Sequence, residues 1–327
     1  MEVWVPWDET ELLVELPSEA LVYLLDPAEP DPTSLRRDPV LDREPSVAVV
    51  DVTFSSPSSV GDLIGRLPSE TIYAVSWVDL DSPHSGAGVL RAVEERGAIP
   101  VSDGSDLRAL RERLLGVGEV LLVVPAVNSV FHSLDDLSLA DAFFKAIEVP
   151  NGSLKVQVLR YLLDARGVFL GFVEQRPSVQ RPDRRYDLVV CSPGGRPFDR
   201  TFVGSLMVAL SSSDLANDGR VLGLVCGCGE GFGSSRALER MVVESQDATG
   251  DTYSLLASRF RGERSRVRLL TNAPLPRAIV QDLLGLRQVQ KVDDLVHAAT
   301  RFVGREIRVA VIRRGALGFQ QVLPRDG

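Results

Sequence analysis

The chain has 327 residues, 44% hydrophobic and 25% charged, with a mean hydropathy of +0.06. These values exclude a disordered chain and suit about two domains. The net charge of −9 argues against a nucleic-acid partner, and 33 of the 36 basic residues are arginines, leaving Lys145, Lys155 and Lys291 as the lysines.

In chain order, short apolar runs predict strands at Ser46–Val52, Thr71–Trp77, Val120–Val124, Val168–Val173 and Asp187–Cys191. Further strands are predicted at Val221–Cys226, Arg266–Leu270 and Glu306–Ile312. The runs are continuous rather than alternating, as in strands buried on both faces. Helical spacing predicts helices at Leu107–Leu115, Ser153–Ala165, Thr201–Ala216, Ser235–Gln246, Thr252–Arg261 and Asp293–Phe302. The alternation implies an α/β protein with two domains, mainly parallel sheets and an interdomain cleft. The proline-rich segment Asp26–Pro45 reads as an extended connection. The polar segment Glu174–Arg185 reads as the boundary, giving domains 1–180 and 181–327.

Other classes are excluded in turn. Cys191, Cys226 and Cys228 are too few for a disulfide framework. The N-terminus is acidic where a signal peptide is basic. No apolar run approaches the roughly 20 residues of a membrane span. A reduced, cytoplasmic, soluble protein is expected. His84, His132 and His297 are far apart in sequence, and Cys226-x-Cys228 has no second pair, so no metal site is predicted.

Two glycine-rich turns directly follow strands: Ser192-Pro-Gly194-Gly195-Arg-Pro197-Phe-Asp199, and Cys226-Gly-Cys228-Gly-Glu230-Gly-Phe-Gly233. Backbone N–H groups at such turns approach an anion closely, and ligands in open α/β sheets bind there. Neither turn is G-x-G-x-x-G, and no G-x-x-x-x-G-K-[ST] occurs, which disfavours a nucleotide-dependent enzyme.

The first turn resembles S-x-G-G-x-P-x-D of the nickel-dependent lactate racemase family. Asp218-Gly219, the following strand and Cys228-Gly-Glu230-Gly-Phe232-Gly233 resemble its later C-x-E-G-[FL]-G. More faintly, Glu9–Pro17 resembles its opening strand, Asp51-Val-Thr53-Phe-Ser-Ser-Pro57 its D-x-T-R-P-x-P, and Phe131-His132 with Phe144-Lys145-Ala-Ile147 its P-H…K-A-I segment. The resemblance implies a divergent member whose relatives racemise a 2-hydroxy acid by hydride transfer. It implies Lys145 as the covalent anchor of a nickel-pincer pyridinium cofactor, Gly194 and Gly195 as cofactor-binding turn residues, and His132 with Asp51 as catalytic groups. His84 would be the second base only with a shift in register. The chain departs from the family at several points. Phe54 stands at the substrate arginine, Gly204 and Met207 stand at the substrate glutamine and lysine, and no histidine lies between Lys145 and His297. Classical racemisation is therefore not expected. The alternative is a non-catalytic homologue that binds a small anion, with a small carboxylate as a candidate ligand, or that binds a partner subunit.

Overall fold

In the computed structural model, the described residues are 1–27, 45–76, 87–101, 104–150, 154–163, 169–173, 184–243, 252–318 and 320–321. His84 and most of both proposed connecting segments lie outside them.

The chain opens with a hairpin, β1 (Glu2–Trp7) and β2 (Thr10–Glu15), and a third strand, β3 (Leu21–Asp26). A first α/β layer follows: β4 (Val47–Asp51), α1 (Pro57–Ile64), β5 (Thr71–Val75), α2 (Ala87–Glu94), β6 (Ile99–Val101), α3 (Gly104–Leu115), β7 (Glu119–Pro125), α4 (Asp136–Ala146), β8 (Lys155–Leu163) and β9 (Phe169–Val173). Its sheet has the order β6-β5-β4-β7-β8-β9, parallel except for β9. Every residue of β4 is buried, as its unbroken run VAVVD requires.

The second layer contains β10 (Tyr186–Cys191), α5 (Phe202–Ser211), β11 (Ala216–Leu224), α6 (Ser235–Val242), α7 (Thr252–Arg266) and β12 (Arg268–Thr271). It continues through β13 (Arg287–Gln288), α8 (Asp293–Val303), β14 (Arg308–Ile312) and β15 (Gln320–Gln321). Its sheet has the order β13-β12-β11-β10-β14-β3-β15 and is parallel except for β15. β3 therefore joins a sheet otherwise built from the C-terminal half. The hairpin follows it, because Val3, Val5 and Val14 pack with Leu188, Val190 and Val311. Sheet membership thus departs from chain order for the opening strands.

The helix expected at 153–165 is instead β8. Its residues pair with β7 at seven registered positions, Glu119↔Lys155 through Pro125↔Tyr161. The stretch KVQVLRYLL alternates at first and suits either period, and pairing to a buried strand decides between them. The other expected strands and helices form, with boundaries shifted by a few residues. Among the described residues, no helix is long and apolar enough to cross a membrane.

One apolar core joins the layers, running from Val47–Val50 and Phe54 through Phe198 and α5 to Ala310 and Ile312. α5 is buried along nearly its whole length. The Thr201 side chain caps it by accepting the Gly204 N–H at 3.2 Å. Further contacts tie the layers at the strand ends. Asn128 donates from its backbone to Ala316 O at 2.7 Å, and Arg200 donates to Thr53 O at 3.1 Å.

Candidate functional site

The carboxyl ends of strands in both sheets face a shared cleft of about 650 Å³. That is within the roughly 300–1,000 Å³ of small-molecule sites. The first layer contributes Ser55, Ser56 and Pro57 after β4, with Gly88 and Val89 of α2. The second contributes Gly194, Arg196 and Pro197 after β10, Arg200, Glu230, and Arg314 after β14. The hairpin closes one side with Asp8 and Glu9 of its turn and Glu11 of β2.

The structure brings Asp51 and His132 together. Asp51 ends β4, and His132 lies in the loop after β7, the strand beside it. His132 Nε2 is 2.7 Å from Asp51 Oδ2, and both side chains are buried. The other ring nitrogen, Nδ1, is 2.7 Å from Ser129 Oγ, which also accepts the His132 N–H at 3.1 Å. A neutral imidazole satisfies this set when Nε2–H donates to the carboxylate and Nδ1 accepts from Ser129. Asp51 Oδ1 accepts the Thr53 N–H at 2.8 Å, and Tyr161 O–H donates to Asp51 O at 2.6 Å. Burial, then the Asp51 charge, holds the Tyr161 hydroxyl well above its ordinary range, so it remains a donor.

Phe54 covers this pair. Its ring meets the His132 ring edge-on, with centroids 5.5 Å apart, and lies 6.2 Å from Phe198. A Cβ added at Gly204 would meet Phe54 at 3.4 Å, so glycine there lets the ring settle. Apolar packing thus occupies positions where the resemblance implies a substrate arginine and a substrate glutamine. His132 and Asp51 do not line the cleft, but Ser55 does, and its hydroxyl lies 2.9 Å from Tyr161 Oη.

Of the two turn glycines, Gly194 lines the cleft. Gly195 serves a contact within the chain. Its φ is +72°, and an added Cβ would lie 2.7 Å from Asp8 O. The hairpin turn is held there by Arg196 N–H donating to Asp8 O at 2.9 Å and by the Arg196–Asp8 ion pair.

Lys145 is placed elsewhere. It ends α4, is 44% exposed, and pairs with Asp141 one turn back at 2.7 Å. It is not among the cleft-lining residues. His297 is exposed on α8, 4.0 Å from Asp294. Among the described residues, no group of three or more His, Cys, Asp or Glu side chains is placed to hold a metal ion. These residues do not fit a lysine-anchored, nickel-bearing group, because the amine faces solvent and the buried imidazole is already bonded through both nitrogens.

Asp199 and three arginines were not singled out from the sequence as site residues. Arg196 and Arg200 follow the Gly-Gly turn directly. Arg314 follows the predicted strand ending at Ile312, where the strand-end rule points. Arg314 is exposed and has no ion-pair partner among the described residues.

Asp199 is buried beneath the turn. Its Oδ2 accepts from Asp8 N at 2.8 Å and Gly227 N at 2.9 Å, while Oδ1 has no hydrogen-bond partner among the described residues. Burial raises its pKa above the ordinary carboxylate value, against the pull of those two N–H groups. The native state therefore keeps this proton to higher pH than the unfolded chain. Its stabilising effect is full below the unfolded pKa and is lost as pH rises through the folded one. Asp199→Asn retains an acceptor and removes the charge. Thermal unfolding across that pH range is expected to show wild type losing stability relative to the variant as pH rises. A difference independent of pH would contradict the assignment.

No family model matches the chain, and no curated protein matches it by sequence. Among solved structures, it is similar to the lactate racemase apoprotein from Thermoanaerobacterium thermosaccharolyticum. The TM-score is 0.62 at 12% identity, over 97% of this chain and 99% of that one. At that identity the likeness is one of fold, and the chain shares the α/β architecture of that protein along nearly its whole length.

Proposed function

We propose that the chain binds a small carboxylate in the cleft and does not racemise it through a lysine-anchored nickel cofactor. The observation that carries this reading is the cleft wall itself. It presents Arg196, Arg200 and Arg314 beside Gly194, and among the described residues it contains neither lysine nor histidine. A guanidinium fork matches a carboxylate in charge and geometry. Arg196 is engaged by Asp8 and Glu9, and Arg200 is buried near Glu230 at 3.7 Å. Arg314 is the cation placed to meet an incoming anion.

The similar fold belongs to a lactate racemase, so 2-hydroxy carboxylates are the first compounds to test. Titration calorimetry of the full chain with lactate and its longer homologues is expected to give saturable binding. Arg314→Ala should weaken it at least about tenfold, since a charge-assisted hydrogen bond contributes roughly 1.5–3 kcal/mol. Equal affinity of the variant would remove the anion from this wall. The absence of binding by any short carboxylate would overturn the reading.

A further inference from the structure

Two of the three cysteines lie on the turn after β11 and take no part in the cleft reading. Cys226 and Cys228 are both buried, and their sulfurs are 3.2 Å apart, with the Cys228 thiol donating to Cys226. A disulfide needs about 2.0 Å between sulfurs, so closure takes a small movement. Gly227 separates the two residues, Gly229 follows, and Cys228 itself has a φ of +50°. That left-handed conformation is unusual for a residue with a side chain. Cys191 ends the neighbouring strand β10, and burial pushes its thiol up to about 12.

We propose that Cys226 and Cys228 are a reversible redox pair that closes to an intrachain disulfide under peroxide, leaving Cys191 a thiol. Cys228 is the outer sulfur, 4% exposed against 0% for Cys226. Its sulfur attacks one oxygen of hydrogen peroxide as it gives up its proton. The O–O bond breaks, one oxygen stays on sulfur as a sulfenic acid, and the other leaves as water with the thiol proton. Cys226 sulfur then attacks Cys228 sulfur. The S–O bond breaks, the S–S bond forms, and a second water leaves with the Cys226 proton. Two thiols together give up two electrons and two protons, and one peroxide becomes two waters. The hydrogen bond to Cys226 and burial hold the Cys228 thiol well above its usual range. The pair therefore responds to sustained rather than trace peroxide.

The test exposes the reduced full-length chain to hydrogen peroxide, alkylates the remaining thiols after denaturation, and maps the mass changes. The expected result is loss of two hydrogens within the peptide carrying Cys226 and Cys228, one alkylated thiol at Cys191, and full reversal by dithiothreitol. Cys191→Ser should lose the same two hydrogens. Cys228→Ser should not. Should Cys228→Ser fail to fold, the peptide map of the wild-type chain still decides. Oxygen adducts without loss of hydrogens, a bridge containing Cys191, or three alkylatable thiols after exposure would each overturn the proposal.

Discussion

Replacing Asp51 with alanine is expected to lower the unfolding free energy by about 2–6 kcal/mol, the cost of leaving two buried donors unsatisfied at roughly 1–3 kcal/mol each. Two donors lose their acceptor at once: His132 Nε2–H at 2.7 Å and the Thr53 N–H at 2.8 Å. With Phe54 over the imidazole and both side chains nearly solvent-free, little water replaces the carboxylate. His132→Ala is costly for the converse reason, since it leaves Asp51 a buried charge. The double variant should cost clearly less than the two singles together, because each single already breaks the same interaction. Urea unfolding of the four proteins measures this. Additive effects of under about 1 kcal/mol each would show a solvated pair, open to the cleft.

Gly195→Ala is expected to cost about 2–5 kcal/mol, combining a left-handed backbone penalty of roughly 1–2 with overpacking of roughly 1–3. The added methyl would lie 2.7 Å from Asp8 O, a backbone atom held by the Arg196 N–H. Asp8 cannot swing away without releasing the hairpin turn, since its own N–H donates to Asp199. Gly219 is the comparison. It also has a positive φ, of +72°, but nothing lies within 4 Å of its would-be Cβ. Gly219→Ala should therefore show the backbone penalty alone. Thermal and denaturant unfolding of both variants separates the close approach from the conformation. Equal losses would mean that the contact with Asp8 contributes nothing.

The parallel sheets were legible because β4 and β10 carry the continuous apolar runs VAVV and LVVC, and both strands are buried throughout. β8 was not, because KVQVLRYLL meets either period and only pairing with β7 settles it. β3 was hidden for a different reason. Its partner β14 is nearly the whole chain away, and no local pattern encodes such a return. Asp51 and His132 stood out singly, through the likeness of their segments to separate family motifs. Their contact spans 81 positions and depends on β4 lying beside β7, which is a fact of topology. The Gly194-Gly195 turn was visible, yet the hairpin that presses against Gly195 comes from the other end of the chain. Lys145 drew attention by its neighbours in sequence. The helix that carries it turns it to Asp141 and solvent. Arg314 was within reach of the strand-end rule, but an arginine among 33 carries no signal by type.

On the proposed function, the cleft binds a small carboxylate without the lysine-anchored nickel chemistry. The most direct measurement is the intact mass and nickel content of the full chain, purified after co-expression with the enzymes that make that cofactor. The expected result is the unmodified 35.6 kDa chain with no stoichiometric nickel. A covalent adduct mapped to Lys145, with one nickel per chain, would contradict it.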